Sequence, residues 1–174
     1  MNREEIEHSV ALLKFCPIND FTLQNINDGN MFFSLPQLFN DPFEFSYLKI
    51  SSLMVPTQII GVCSFSKTIL PIGTIGHGLD PIVDNTINNQ LLWSHYADSH
   101  KGVCLMFNQI KLREYWNNIV DLKPIEYKNE SDEFPENIVY NSKSSAWKYE
   151  NELRAITRPD IFNDTRVNVL DNGF

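Results

Sequence analysis

A chain of 174 residues, 43% apolar and 21% charged, has the size and make-up of one soluble globular domain. Its net charge of −8 argues against nucleic acid as the main partner, because such a grip relies on Lys and Arg neutralising phosphates, although Lys101, Lys143, Lys148 and Arg154 could still form a local basic groove. No run approaches the roughly 20 apolar residues of a membrane span, which argues against a membrane partner, and the acidic start Met1–His8 is expected to be neither a leader nor an anchor.

The three cysteines, Cys16, Cys63 and Cys104, each lie in an apolar run and none has metal-ligand spacing. They fit buried thiols in a reducing cytoplasm.

Residues 1–9 are charged and expected to fray. Val10–Cys16 is an apolar run broken by Lys14 and ended by Pro17, the length of a strand, with the lysine snorkelling at an edge. Asn19 or Asp20 can cap a short helix over Phe21–Ile26, Asp28-Gly29-Asn30 turns the chain, and Met31–Ser34 forms a second strand. Leu38-Phe39-Asn40-Asp41-Pro42-Phe43-Glu44-Phe45 is a corner: Pro42 holds Asp41 out of the α region, and the corner can aim Asn40, Asp41 and Glu44 at a ligand.

Ile59–Ser66 reads as a buried strand. Residues 67–88 carry Pro71, Gly73, Gly76 and Gly78 with little periodicity, and a loop of that length in a compact domain suggests a flap over a site.

From Leu91 the pattern changes period halfway. Leu91, Leu92, His95, Tyr96 and Ser99 recur at helical intervals, and Val103, Leu105 and Phe107 then alternate as in a strand. Gly102 stands where a helix C-terminus needs positive φ, with His100 and Lys101 in the last turn. Trp93, His95, Tyr96 and His100 crowd into eight positions, more than a structural helix requires. His95 and His100 point roughly 140° apart on a regular helix and cannot share a metal; His95 is the site candidate and His100 a cap.

Helix is expected over Gln109–Trp116 and an edge strand over Val120–Tyr127, since Pro124 cannot donate in a central one. Lys128–Glu136 is an acidic loop. A helix over Ser142–Tyr149 should pass into a strand over Leu153–Thr157, and the weakly alternating Arg166–Leu170 could add one more strand. Short, irregularly spaced strands imply an α+β fold: a single domain with a small, bent, mixed sheet and helices packed on it.

Glu150, Glu152 and Arg154 alternate onto one face of an extended chain. Two carboxylates there repel unless they are wet, ligand-bound or paired with cations, for which Arg154 and Lys148 are the nearest. Gly-rich phosphate loops, His-Glu-x-x-His or Cys-x-x-Cys metal motifs and a Gly-x-Ser-x-Gly elbow are all missing.

Four motifs in order carry a resemblance: Phe-Phe-Ser-Leu-Pro with Phe-Asn-Asp-Pro-Phe-Glu, Cys-Ser-Phe-Ser, Leu-Trp-Ser-His-Tyr-Ala-Asp-x-His-Lys-Gly-Val-Cys-Leu-Met-Phe, and Lys-x-x-x-Trp-x-Tyr-Glu-x-Glu-Leu-Arg. Over about residues 12–157 the chain resembles the bacterial domain-of-unknown-function family 2971, while looking shorter than usual at its C-terminus. A fainter likeness, to ADP-ribosyltransferase-like folds, comes from the order Lys14, Ser34, Glu150 or Glu152. It implies NAD as substrate, Ser34 and Tyr96 holding the nicotinamide ribose and ring, and a glutamate bonding the ribose hydroxyl. Lys14 departs from the usual Arg or His.

Three functions follow. The first is a nucleotide-handling enzyme, an NAD-dependent ADP-ribosyltransferase or glycohydrolase, with Glu150, Glu152 and His95 as catalytic candidates and Lys14, Ser34, Asn40, Asp41, Glu44, Trp93, Tyr96 and Arg154 around the ligand. The second is a metal-assisted phosphodiesterase or nuclease, in which Asp41, Glu44, Glu150 and Glu152 hold Mg²⁺ and His95 is the base. The third is a binding module for a small ligand or a protein partner.

Overall fold

The structure is a computed structural model that describes residues 10–35, 39, 61–69, 86–117, 119–129, 141–157 and 166–168. The described residues form an α+β fold around a five-stranded sheet. Its strands are β1 (Val10–Cys16), β3 (Val62–Ile69), β4 (Val103–Asn108), β5 (Val120–Pro124) and β8 (Glu152–Thr157), in the spatial order β4-β1-β3-β8-β5, and every pairing is antiparallel. Two small ladders flank it. β2 (Asn30–Phe32) pairs antiparallel with β9 (Arg166–Asn168), and β6 (Glu126–Lys128) pairs parallel with β7 (Ser142–Ser144).

β1 is an inner strand covered on both faces, which explains its continuous apolar run. Lys14 therefore does not snorkel at an edge; its Nζ donates across the sheet to the Ser64 carbonyl at 3.1 Å. β5 is an edge strand, as Pro124 demands. The expected single strand over 120–127 breaks at Ile125, and β6 leaves the main sheet to meet β7.

Leu12, Cys63, Phe65, Leu153 and Ala155 cover one face. They meet Met31, Phe33 and two residues from the end of α3 (Gln109–Tyr115) and beyond, Leu112 and Trp116. Edge-on ring contacts of Phe33 with Trp116 (5.7 Å) and Phe65 with Phe107 (5.9 Å) fill this core. On the other face Leu13 and Phe15 pack with Leu92 and Ala97, from α2 (Gln90–Tyr96) and its C-cap.

β1 and β3 pair only through Val10–Leu13 with Ser66–Ile69. Beyond that point Ser34 bridges to Val62, and β1 continues beside β4 alone. The sheet thus splits beside Lys14, and this split positions the site.

α2 ends differently from expectation. Asp98, Ser99 and His100 all have positive φ (46°, 53° and 70°), and the helix end is closed by Ser99 N donating to the Ser94 carbonyl and His100 N to the Trp93 carbonyl. Gly102 is not left-handed; it is needed because a Cβ there would lie 2.2 Å from the Cys16 carbonyl oxygen and 2.8 Å from Ala97 Cα. The helix expected over 142–149 is instead β7 followed by a 3-10 helix, Ser145–Glu150, capped by the Ser144 hydroxyl. Left-handed Asn151 (φ 45°) then turns the chain into β8.

Candidate functional site

On the Leu13 face, register aligns Leu13, Ser66 and Glu152 in one row and Ser64, Arg154 and Lys123 in the next. Glu152 and Arg154 are almost wholly buried there, with Glu150 and Lys143 beside them. The four charges interlock. Lys143 Nζ donates to Glu150 Oε2 at 2.7 Å and Glu152 Oε2 at 3.3 Å, and Arg154 Nε donates to Glu152 Oε1 at 2.8 Å. Tyr96, the last residue of α2, donates its hydroxyl to Glu150 Oε1 at 2.6 Å, and the Tyr127 hydroxyl accepts from the Glu152 amide at 2.7 Å. Asn89 Nδ2, at the N-cap of α2, donates to the Tyr149 carbonyl and ties that helix to the 3-10 helix.

Two cations and two carboxylates balance, which is what permits burial of all four. Burial pushes the Glu152 carboxyl above the usual carboxylate range against the opposing pull of Lys143. Burial would lower Lys143, but Glu152 and Glu150 outweigh it and hold the ammonium above its ordinary range. Tyr96 is raised by burial, with Glu150 adding to the effect. Burial likewise raises the thiols of Cys16, Cys63 and Cys104, the last to about 11, so none is an activated nucleophile.

The buried cation beside Arg154 is Lys143. Of the two partners named from sequence, Arg154 pairs with Glu152 whereas Lys148 is exposed, as is Lys101; with Lys143 and Arg154 buried, these four residues do not form a surface groove. Lys143 was legible only as the first residue of its motif. Its inward aim follows from the β7 extension, which the helical reading of that segment hid.

Two cavities adjoin at the split. The smaller, about 190 Å³, is lined by Lys143, Glu150, Glu152 and Arg154, with Phe39 placing its ring 5.3 Å from the Arg154 guanidinium carbon. The larger, about 480 Å³, lies against α1 (Asp20–Asn27), β1, β2 and β4. Lys14, Phe15, Ser34 and Tyr96 line both. Seven expected site residues, Lys14, Ser34, His95, Tyr96, Glu150, Glu152 and Arg154, thus line this pair of cavities, although they come from four distant stretches of chain.

His95 is exposed at the larger cavity, 5.9 Å from the Trp147 ring, and does not line the smaller one. Trp93 lines neither; its Nε1 donates to the Ile87 carbonyl at 2.6 Å and its ring packs edge-on against Phe15. Asn40, Asp41 and Glu44 lie outside the described residues, as does most of the flap expected over 67–88, whose first residues continue β3. Among the described residues no three His, Cys, Asp or Glu side chains are grouped to hold a metal ion, and no helix is long and apolar enough to cross a membrane.

Residues 92–155 match a family described as protein of unknown function (DUF2971). The match is shorter than the span of the four motifs, but it contains Tyr96, Lys143, Glu150, Glu152 and Arg154, and it supports the family resemblance. No curated protein and no solved structure matches the chain. The likeness to ADP-ribosyltransferase-like folds therefore rests on residue order alone.

Proposed function

We propose that the chain is a nucleotide-handling enzyme that cleaves the N-glycosidic bond of NAD, as an ADP-ribosyltransferase or glycohydrolase. One observation carries this reading: Lys14, Ser34 and Tyr96 border a ring-sized apolar cavity on one side and the Glu150–Glu152 carboxylates on the other. A nucleotide has the matching division into flat rings and a hydroxylated, charged remainder.

In the reaction the bond between ribose C1′ and the nicotinamide nitrogen breaks. Its electron pair leaves with the nitrogen and neutralises the pyridinium. Water or an acceptor group forms the new bond to C1′ and gives up a proton, for which His95 at the rim is the base. Positive charge builds on the ribose in between, and a fixed carboxylate beside it stabilises that charge. Glu150 suits the role. A carboxylate has about four lone-pair sites, and Glu150 receives Tyr96 and Lys143 among the described residues, so a ribose hydroxyl can bond to it as well. Ser34 and Tyr96 would hold the ribose and the ring.

Chromatographic measurement of nicotinamide released from NAD tests the proposal. Glu150→Gln should lower kcat by roughly 100-fold, and Ser34→Ala should act mainly on KM. Purified protein that neither consumes NAD nor gives heat on titration with it would refute the reading.

A further inference from the structure

Helix α1 turns a mixed face to the larger cavity, Phe21 and Ile26 together with Thr22 and Asn25. Its buried residues are polar, Thr22 and Asn25, whereas Phe21 and Leu23 are 42% and 53% exposed. A helix on an apolar core normally presents an apolar stripe inward, so the burial of two polar side chains on this face calls for an explanation. Thr22 and Asn25, three residues apart and on one face, both line the larger cavity. Asn25 is 8% exposed, and its Oδ1 is the buried side-chain polar atom that has no hydrogen-bond partner among the described residues. A buried acceptor left unpaired is costly and calls for a donor.

The rest of the cavity says what kind of donor. Phe21 and Phe32 meet edge-on at 5.1 Å, and Met31 and Phe107 also line the wall. Phe21 and Met106 line it while remaining 42% and 43% exposed, apolar surface that a flat ligand would cover. The volume of about 480 Å³ is that of a small-molecule site.

We infer that this cavity binds a purine-type ring carrying an exocyclic amino group, with Asn25 Oδ1 accepting from that amino group and the aromatic wall taking the ring faces. The inference rests on the nucleotide reading above and names which part of the nucleotide enters here. Asparagine is a natural partner for an adenine edge, since its carbonyl oxygen can accept from the exocyclic amine.

Titration calorimetry of the whole chain with adenosine and inosine tests it, because neither probe has a nicotinamide bond to cleave. Adenosine should bind at least 10-fold more tightly than inosine, which carries an oxygen where adenosine has the amine. Asn25→Leu should reduce adenosine affinity about 10-fold and bring the ratio of the two close to one. The same variant should melt at a higher temperature than the unliganded parent, because it removes an orphaned acceptor. Absence of adenosine binding, an unchanged preference in Asn25→Leu, or a lower melting temperature showing the amide already engaged would each overturn the inference. Adenosine binding without NAD cleavage would refute only the proposed reaction, and NAD cleavage without adenosine binding only this assignment.

Discussion

The two faces of the sheet solve burial in opposite ways. The Leu12 face is closed by Phe33, Phe65 and Trp116, which need only shape and volume. The Leu13 face closes over Lys143, Glu150, Glu152 and Arg154, which need every partner in place. The first arrangement tolerates similar shapes. The second fails when one member is lost, and an apolar replacement of the whole set would be the easier way to make a stable protein. Four charges retained next to two cavities are what the proposed ligand chemistry would require.

The largest expected effect breaks the apolar face. Trp116→Ala should cost about 4 kcal/mol in urea unfolding, the usual loss for a large buried ring. Nucleotide binding per folded molecule should be unchanged, because Trp116 lines neither cavity.

Lys143→Met breaks the polar face and should cost about 3 kcal/mol, since it leaves two buried carboxylates facing each other. It also has a signature in pH. In the folded protein Lys143 holds its proton above its ordinary value of 10.5, so its contribution is intact below that pH and is lost as pH rises further. Cys104, raised by burial from 9.0 to about 11, acts with the same sign. Urea midpoints of the parent should thus fall from about pH 9 upward, and those of the variant should fall less steeply beyond pH 10.5. Parallel curves would show that Lys143 is not a buried cation.

Tyr96→Phe is the finest cut, removing one hydroxyl and its bond to Glu150. A loss of about 1.5 kcal/mol is expected for a hydrogen bond to a charged group. If the polar face serves catalysis, turnover of NAD should fall more than this stability change accounts for. An equal effect on both would reduce Tyr96 to a structural tie.

Local pattern made several elements readable. Val10–Cys16 runs between the bounds its apolar run suggests, Asn19 caps α1 by accepting from the Thr22 amide, and Pro124 sits on an edge strand. The convergence of Tyr96 with Glu150 and Arg154 was also legible, because aromatic and charged groups were too concentrated in their two segments for plain surface elements. Lys143 and Asn25 were not. A lysine in a polar stretch and an asparagine in a short helix look like solvated residues until the fold buries them.

Sequence alone located most strands and helices, though not the strand and 3-10 helix over 142–150, because capping, proline placement and apolar periodicity act over a few residues. Tertiary structure decided the rest. The split between β1 and β3, the inward turn of Lys143 and Asn25, and the close approach that requires Gly102 all depend on which distant segment lies alongside. Short-range pattern carries no record of those neighbours; they are set only when the whole sheet assembles.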